Sequence, residues 1–172
     1  KTNIEPFPHI IFYNFYDNNE LELIWEELKF YTRPNKLFDV EKYKGVVGHT
    51  KAKAIFLDDI FSDKNRVLSN ILTVSRKVFD DQILHPFSEI HDCCSLAKLS
   101  NYDISKVRYY HDGDYYKPHT YSYFEFLAFS YFYKEPKKFS GGDLIFPKYN
   151  YKFNCQNNSL IMFPSWVEHG VS

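Results

Sequence analysis

Tyr110-His111-Asp112-Gly113-Asp114-Tyr115-Tyr116-Lys117-Pro118-His119-Thr120-Tyr121 is the stretch on which the fold turns. His111 to Asp114 carries turn chemistry, and the residues on either side read as extended, over about 107–110 and 115–121. Pro118 cannot donate to a ladder, so it marks an edge or a kinked strand. Alternate residues of a strand share a face, which turns His119 and Tyr121 to the same side. A second histidine in β-type sequence, His169, follows Phe163-Pro164-Ser165-Trp166-Val167-Glu168. Two imidazoles meeting from separate strands make two-thirds of a non-haem iron site, whose third protein ligand is a carboxylate. Two residues after the first histidine, the place for that carboxylate, stands Tyr121.

From about Leu99 to the end the chain is built of short β-rich runs. A long aromatic run covers 124–133, a loop follows over 134–142, and strands are predicted over 143–146, 149–155 and 159–163. The N-terminal half is different. After an extended opening, Pro6-Phe7-Pro8-His9-Ile10-Ile11-Phe12-Tyr13, the residues Asp17-Asn18-Asn19-Glu20 offer N-caps. Leu21, Leu23, Ile24, Trp25 and Leu28 then recur at helical spacing. A second helix is predicted over about 64–84, from Val67, Leu68, Ile71, Leu72, Val74, Val78 and Phe79, stopping before Pro86. Between the helices, Gly45-Val46-Val47-Gly48-His49 reads as a loop. Helices followed by packed strands, with no repeat or linker, predict one α+β domain whose sheets form a sandwich.

The 172 residues suffice for a real core. Net charge is −1, from 21 basic and 22 acidic residues interspersed, so no field gathers nucleic acid or an anionic membrane. No apolar run reaches the ~20 residues of a membrane span, and the first residues lack a signal-peptide layout, so a cytoplasmic location is expected. Three cysteines, Cys93, Cys94 and Cys155, fit neither a disulfide framework nor a spaced zinc motif and are expected to be reduced. Fifteen tyrosines and seventeen phenylalanines favour strands, and most are expected to be core filling.

The segment from Tyr110 to His119 closely resembles the first metal-ligand segment of the 2-oxoglutarate/Fe(II) oxygenases of the prolyl 4-hydroxylase type. Gly141-Gly142-Asp143-Leu144 is similar to the family's Gly-Gly-acidic-Leu turn. Ser159-Leu160-Ile161-Met162-Phe163-Pro164, leading to His169-Gly170-Val171, is similar to its closing segment. The resemblance covers about 99–172 and extends, less specifically, to the Pro-Phe-Pro-His opening. It implies a mainly β, α+β fold: a double-stranded β-helix (a jelly roll, cupin-like) over about 99–172, with helical support over about 1–98. It also implies Fe(II) and 2-oxoglutarate as cofactors, with ascorbate as an accessory reductant. His119 and His169 would be metal ligands, and Tyr110 and Tyr131 would contact the cosubstrate. The family's basic anchor for the distal carboxylate of 2-oxoglutarate, and its last strand, would fall past Ser172.

The aspartate of the family's metal triad falls on Tyr121. A phenol oxygen lies ~3 Å farther from the backbone than a carboxylate's, from ordinary bond lengths, so it cannot take the same coordination point without a shift. A phenol also keeps its proton to pH ~10 unless the metal is acidic enough to displace it, which suits ferric iron or copper better than ferrous iron. Substitute acids are poor. Glu125 lies four extended residues, ~13 Å, beyond Tyr121. Asp112, Asp114 and Asp143 read as turn residues.

Three functions follow. The leading one is a 2-oxoglutarate-dependent dioxygenase hydroxylating a prolyl residue or a small amino-acid-like substrate, with His119, Tyr121 and His169 at its centre. The second is a His/Tyr/His metalloenzyme running another oxidation with Fe(III) or Cu. The third is a binding module without turnover.

Overall fold

A computed structural model describes residues 2–40, 49–123 and 125–172. The loop expected around Gly45-Val46-Val47-Gly48 and the first residue of the expected aromatic strand, Phe124, lie outside the described residues. In chain order the strands are β1 (Thr2–Asn3), β2 (His9–Tyr13), β3 (Phe38–Asp39), β4 (Thr50–Lys51), β5 (Lys53–Phe56) and β6 (Lys106–Tyr109). They continue with β7 (Tyr115–His119), β8 (Phe126–Tyr131), β9 (Leu144–Phe146), β10 (Tyr151–Phe153), β11 (Ser159–Pro164) and β12 (His169–Val171). The α-helices are α1 (Asn18–Tyr31), α2 (Asn70–Ser75) and α3 (Asp81–Ser88), joined by short 3₁₀ turns. No helix of the described residues is long and apolar enough to cross a membrane.

The chain gathers into two compact units, each discontinuous in sequence: 1–15, 78–101 and 117–172 in the first, 16–77 and 102–116 in the second. In the first unit, β1, β2, β11 and β8 form an antiparallel sheet in that order. A second sheet runs β10, β9, β12 and then the last residues of β7. Every residue of β11 is buried, because the strand is covered on both faces. The register sets Ile161 opposite Phe129 and Ile11, so Phe163, Phe129, Ile11 and His9 share one face. That face meets the second sheet. Phe7 packs on Phe146 at 4.5 Å between ring centroids, and Phe146 on Phe163 at 5.1 Å. On the opposite face Phe126 meets Phe87 of α3 at 5.5 Å.

The second unit holds α1, α2 and the sheet β3-β5-β6, with β4 paired to the first two residues of β7. The capping residues expected for α1 are in place: Asp17 accepts from the Glu20 backbone N–H at 2.9 Å, and Glu20 returns the bond at 2.8 Å. Glu27 of α1 ties the helices together by accepting from Ser69 at 2.8 Å, the Ile71 backbone N–H at 2.8 Å and the Tyr31 hydroxyl at 2.8 Å. Tyr31, Ile55, Leu57 and Leu72 make the core beneath.

The single helix predicted over 64–84 is broken into a 3₁₀ turn, α2, another 3₁₀ turn and α3. Two residues take extended backbone and restart the helix. Ser69 (φ −96°, ψ 120°) caps α2 by accepting from Leu72, and Asp80 (φ −63°, ψ 140°) precedes α3. Serine and aspartate side chains compete for backbone donors this way, and apolar periodicity does not report it. Pro86 lies inside α3 instead of beyond the helix, which continues through Ser88. Strand β7 also ends at His119, two residues sooner than expected, and the Tyr121 N–H bonds to Ser165 O at 3.0 Å.

Candidate metal centre

His119 closes β7 and His169 opens β12, its neighbour in the sheet. Their ring centroids are 4.4 Å apart, with planes inclined at 52°. Each ring is tied in the same way. His119 Nδ1 lies 2.9 Å from Lys117 O, and His169 Nδ1 lies 2.9 Å from Val167 O. A carbonyl only accepts, so in the neutral ring the proton sits on Nδ1 and the lone pair on Nε2. Both Nε2 atoms are shut off from solvent. A carbonyl fixing Nδ1–H while Nε2 presents its lone pair is the arrangement by which proteins hold metal-binding histidines.

Tyr121 joins them. Its ring stands edge-on to His119 at 5.0 Å and lies 5.8 Å from His169 at 31°. The bond from its backbone N–H to Ser165 O places the residue beside the turn that leads into β12. Two apolar rings wall His169, which is 1% exposed: Phe129 at 5.4 Å and Phe163 at 5.1 Å. Walls of this kind strengthen any electrostatic interaction formed between them.

Tyr131, two residues beyond Phe129 on β8, turns to the same face, with its hydroxyl buried and its ring 6.0 Å from Phe153. Tyr110 belongs to the second unit, where it packs against Val40, Ala52 and Ala54. Burial pushes its phenol above the ordinary value, and the Arg108 guanidinium beside it works the other way.

The acids weighed as substitute ligands are otherwise engaged. Asp143 accepts from the Cys155 N–H at 2.8 Å and pairs with Lys152 at 3.1 Å. Asp114 accepts from the His111 N–H at 2.8 Å and pairs with Lys51 at 3.3 Å. Glu125 receives Ser100 Oγ at 3.4 Å. Among the described residues, no group of three or more His, Cys, Asp or Glu converges as a metal site. The donors that the structure brings together here are the two imidazoles of His119 and His169, with the Tyr121 ring beside them.

No family model matches the sequence, and no curated protein matches it. Solved structures do. A prolyl-4-hydroxylase from Pseudomonas putida superposes with a TM-score of 0.61 at 14% identity, over 95% of this chain and 84% of that one. The viral collagen prolyl hydroxylase of Paramecium bursaria Chlorella virus-1, in a 2-oxoglutarate complex, does so at 0.54 and 15% identity, over 95% and 87%. The fold is that of the prolyl 4-hydroxylases. Within a prolyl 4-hydroxylase fold, antiparallel sheets backed by short helices bring together the two histidines that the sequence singles out.

Two residues escaped sequence reasoning. His9, 1% exposed, repeats the same tie, with Nδ1 2.8 Å from Phe7 O, but its Nε2 meets the Asn3 amide at 3.2 Å. That amide donor makes it a packed core histidine. Arg108 is the other, and its signal was a cation two residues before Tyr110.

Proposed function

We propose that the protein is an Fe(II)- and 2-oxoglutarate-dependent oxygenase on a double-stranded β-helix, acting on a prolyl residue or a small amino-acid-like substrate. The supporting observation is the approach of His119 and His169 to 4.4 Å with both lone pairs on Nε2. These two nitrogens would hold the metal. Bound Fe(II) with 2-oxoglutarate would supply the activation of dioxygen, with succinate and carbon dioxide leaving.

The chain's own residues position and protect. The carbonyls of Lys117 and Val167 hold both imidazoles in one tautomer and orientation. Phe129 and Phe163 keep water from the buried side of His169. The Tyr131 hydroxyl, buried on the same sheet face, would orient the keto acid by hydrogen bonding. Two neutral ligands carry less negative charge than the usual triad, which lowers the expected Fe(II) affinity.

The test is anaerobic addition of Fe(II) and 2-oxoglutarate, which should give a weak visible charge-transfer absorption, followed by oxygen, which should give succinate. Absence of succinate from the intact protein overturns this reading. A second reading has its own support in the contact of Tyr121 with both imidazoles. In it Tyr121 binds Fe(III) or Cu(II) as phenolate, and an intense phenolate-to-metal band vanishes in Tyr121→Phe.

A further inference from the structure

Two adjacent thiols meet in the first turn of the 3₁₀ helix over Asp92–Leu99. Cys93 Sγ and Cys94 Sγ lie 4.0 Å apart, although neighbours in a helix ordinarily do not face each other. The backbone beneath them is pinned at two points. The Cys93 N–H donates to His91 Nδ1 at 3.2 Å, and the Cys94 N–H donates to His91 O at 2.8 Å. Both are free thiols, Cys93 half-buried and Cys94 buried, so one sulfur is open to a reagent and the other stands directly behind it.

Closing this pair as a disulfide is disfavoured. The peptide that joins them is trans, which fixes their Cα atoms at ~3.8 Å, short of the ~4.4 Å at which relaxed disulfides begin. A single atom bound between the two sulfurs avoids that closure. Structural zinc takes about four donors, and among the described residues no group of three or more His, Cys, Asp or Glu converges. Two thiols alone match a trivalent arsenical that carries one organic group, because such a centre is thiophilic and has two bonds left to form. Burial and the Cys93 thiol beside it raise the Cys94 pKa, so Cys94 is protonated at neutral pH. An arsenoxide tolerates this, since its oxygen carries the thiol protons away.

We propose that Cys93 and Cys94 form a dithiol capture site for trivalent arsenicals that carry one organic group. The Cys93 thiol adds to the arsenoxide first, forming one As–S bond and passing its proton to the oxygen. The Cys94 sulfur then forms the second As–S bond while the remaining arsenic–oxygen bond breaks, and hydroxide leaves with the Cys94 proton as water. Arsenic stays trivalent throughout, so no oxidant or reductant is consumed. The two-histidine centre supplies none of the donors.

The experiment treats the full folded chain, without denaturant, with a slight excess of phenylarsine oxide, reads the intact mass and then maps the thiols still open to iodoacetamide. One phenylarsenic bridge per chain is expected in place of two thiol hydrogens, with Cys93 closed to iodoacetamide. A small dithiol should reverse the capture, and a monothiol at the same thiol concentration should not. Cys93→Ser and Cys94→Ala each leave a single sulfur at the site and should weaken capture more than about 100-fold, through loss of the second, intramolecular bond. Cys155→Ala should capture like the wild type. Circular dichroism reports whether each protein stays folded, and Cys93→Ser, at the more open of the two positions, carries the decision should Cys94→Ala unfold. Capture that persists undiminished in folded Cys93→Ser, that requires Cys155, or that occurs only in denaturant overturns the proposal. So does native protein from air-equilibrated buffer in which Cys93 and Cys94 are already joined as a disulfide.

Discussion

Replacing Phe163 by alanine probes the wall that holds His169. Phe163 is fully buried, stacks on Phe129 at 5.7 Å and 8°, and meets Phe146 and His169 at 5.1 Å each. Truncating a buried phenylalanine costs ~3–5 kcal/mol through lost transfer energy and the cavity left behind. The high end applies here, because β11 is held between β2 and β8 and cannot collapse into the space. A chain of this size loses ~2–4 °C of Tm per kcal/mol, so a drop of roughly 10 °C or more is expected. Denaturant unfolding followed by aromatic fluorescence measures the free energy, and Phe163→Leu, which keeps most of the volume, should lose only ~1–2 kcal/mol. A loss under about 1 kcal/mol for Phe163→Ala would show that this face is loosely packed and that Phe163 does not fix His169.

Other consequences follow from single contacts. Glu27→Gln removes a carboxylate that accepts from Ser69, Ile71 and Tyr31, and should cost ~1–3 kcal/mol in chemical denaturation; a neutral result would mean these bonds are replaced by water. Asp143 is desolvated, which raises its pKa, but the Cys155 N–H and the Lys152 ammonium outweigh this and hold it below the ordinary value. Its stabilisation is therefore present above the unfolded pKa of ~3.9 and lost as pH falls through the lower folded value. Wild type should exceed Asp143→Asn in stability at pH 6, and the two should converge in strong acid. Burial, with Cys93 beside it, pushes the Cys94 thiol up to about 12, and burial pushes Cys155 up to about 11. Native protein at pH 8 should alkylate at Cys93 alone, as peptide mass mapping would show, and labelling at Cys94 would contradict this burial.

The readable parts of the sequence were those where one local pattern carries the fold. The N-cap candidates at Asp17 to Glu20 announced α1, the turn at Gly113 announced β7, and the two histidines singled out in β-type sequence do come together. The helix over 64–84 was misread because Ser69 and Asp80 interrupt it through extended backbone, which apolar spacing cannot reveal. Tyr121 was legible as a departure, but not the early end of β7 that frees its backbone N–H. That N–H bonds to Ser165 O, forty-four positions away in sequence. Arg108 was invisible for the opposite reason, since a strand arginine is usually solvated and only tertiary burial of Nε sets it apart.

Anaerobic equilibrium titration with Fe(II), comparing wild type with His119→Ala and His169→Ala, bears most directly on the metal centre. One ion per chain is expected for the wild type. Each single variant should lose more than about 100-fold in affinity, beyond what loss of an outer-sphere partner costs. Binding by either variant that matches the wild type would contradict a centre shared by the two imidazoles.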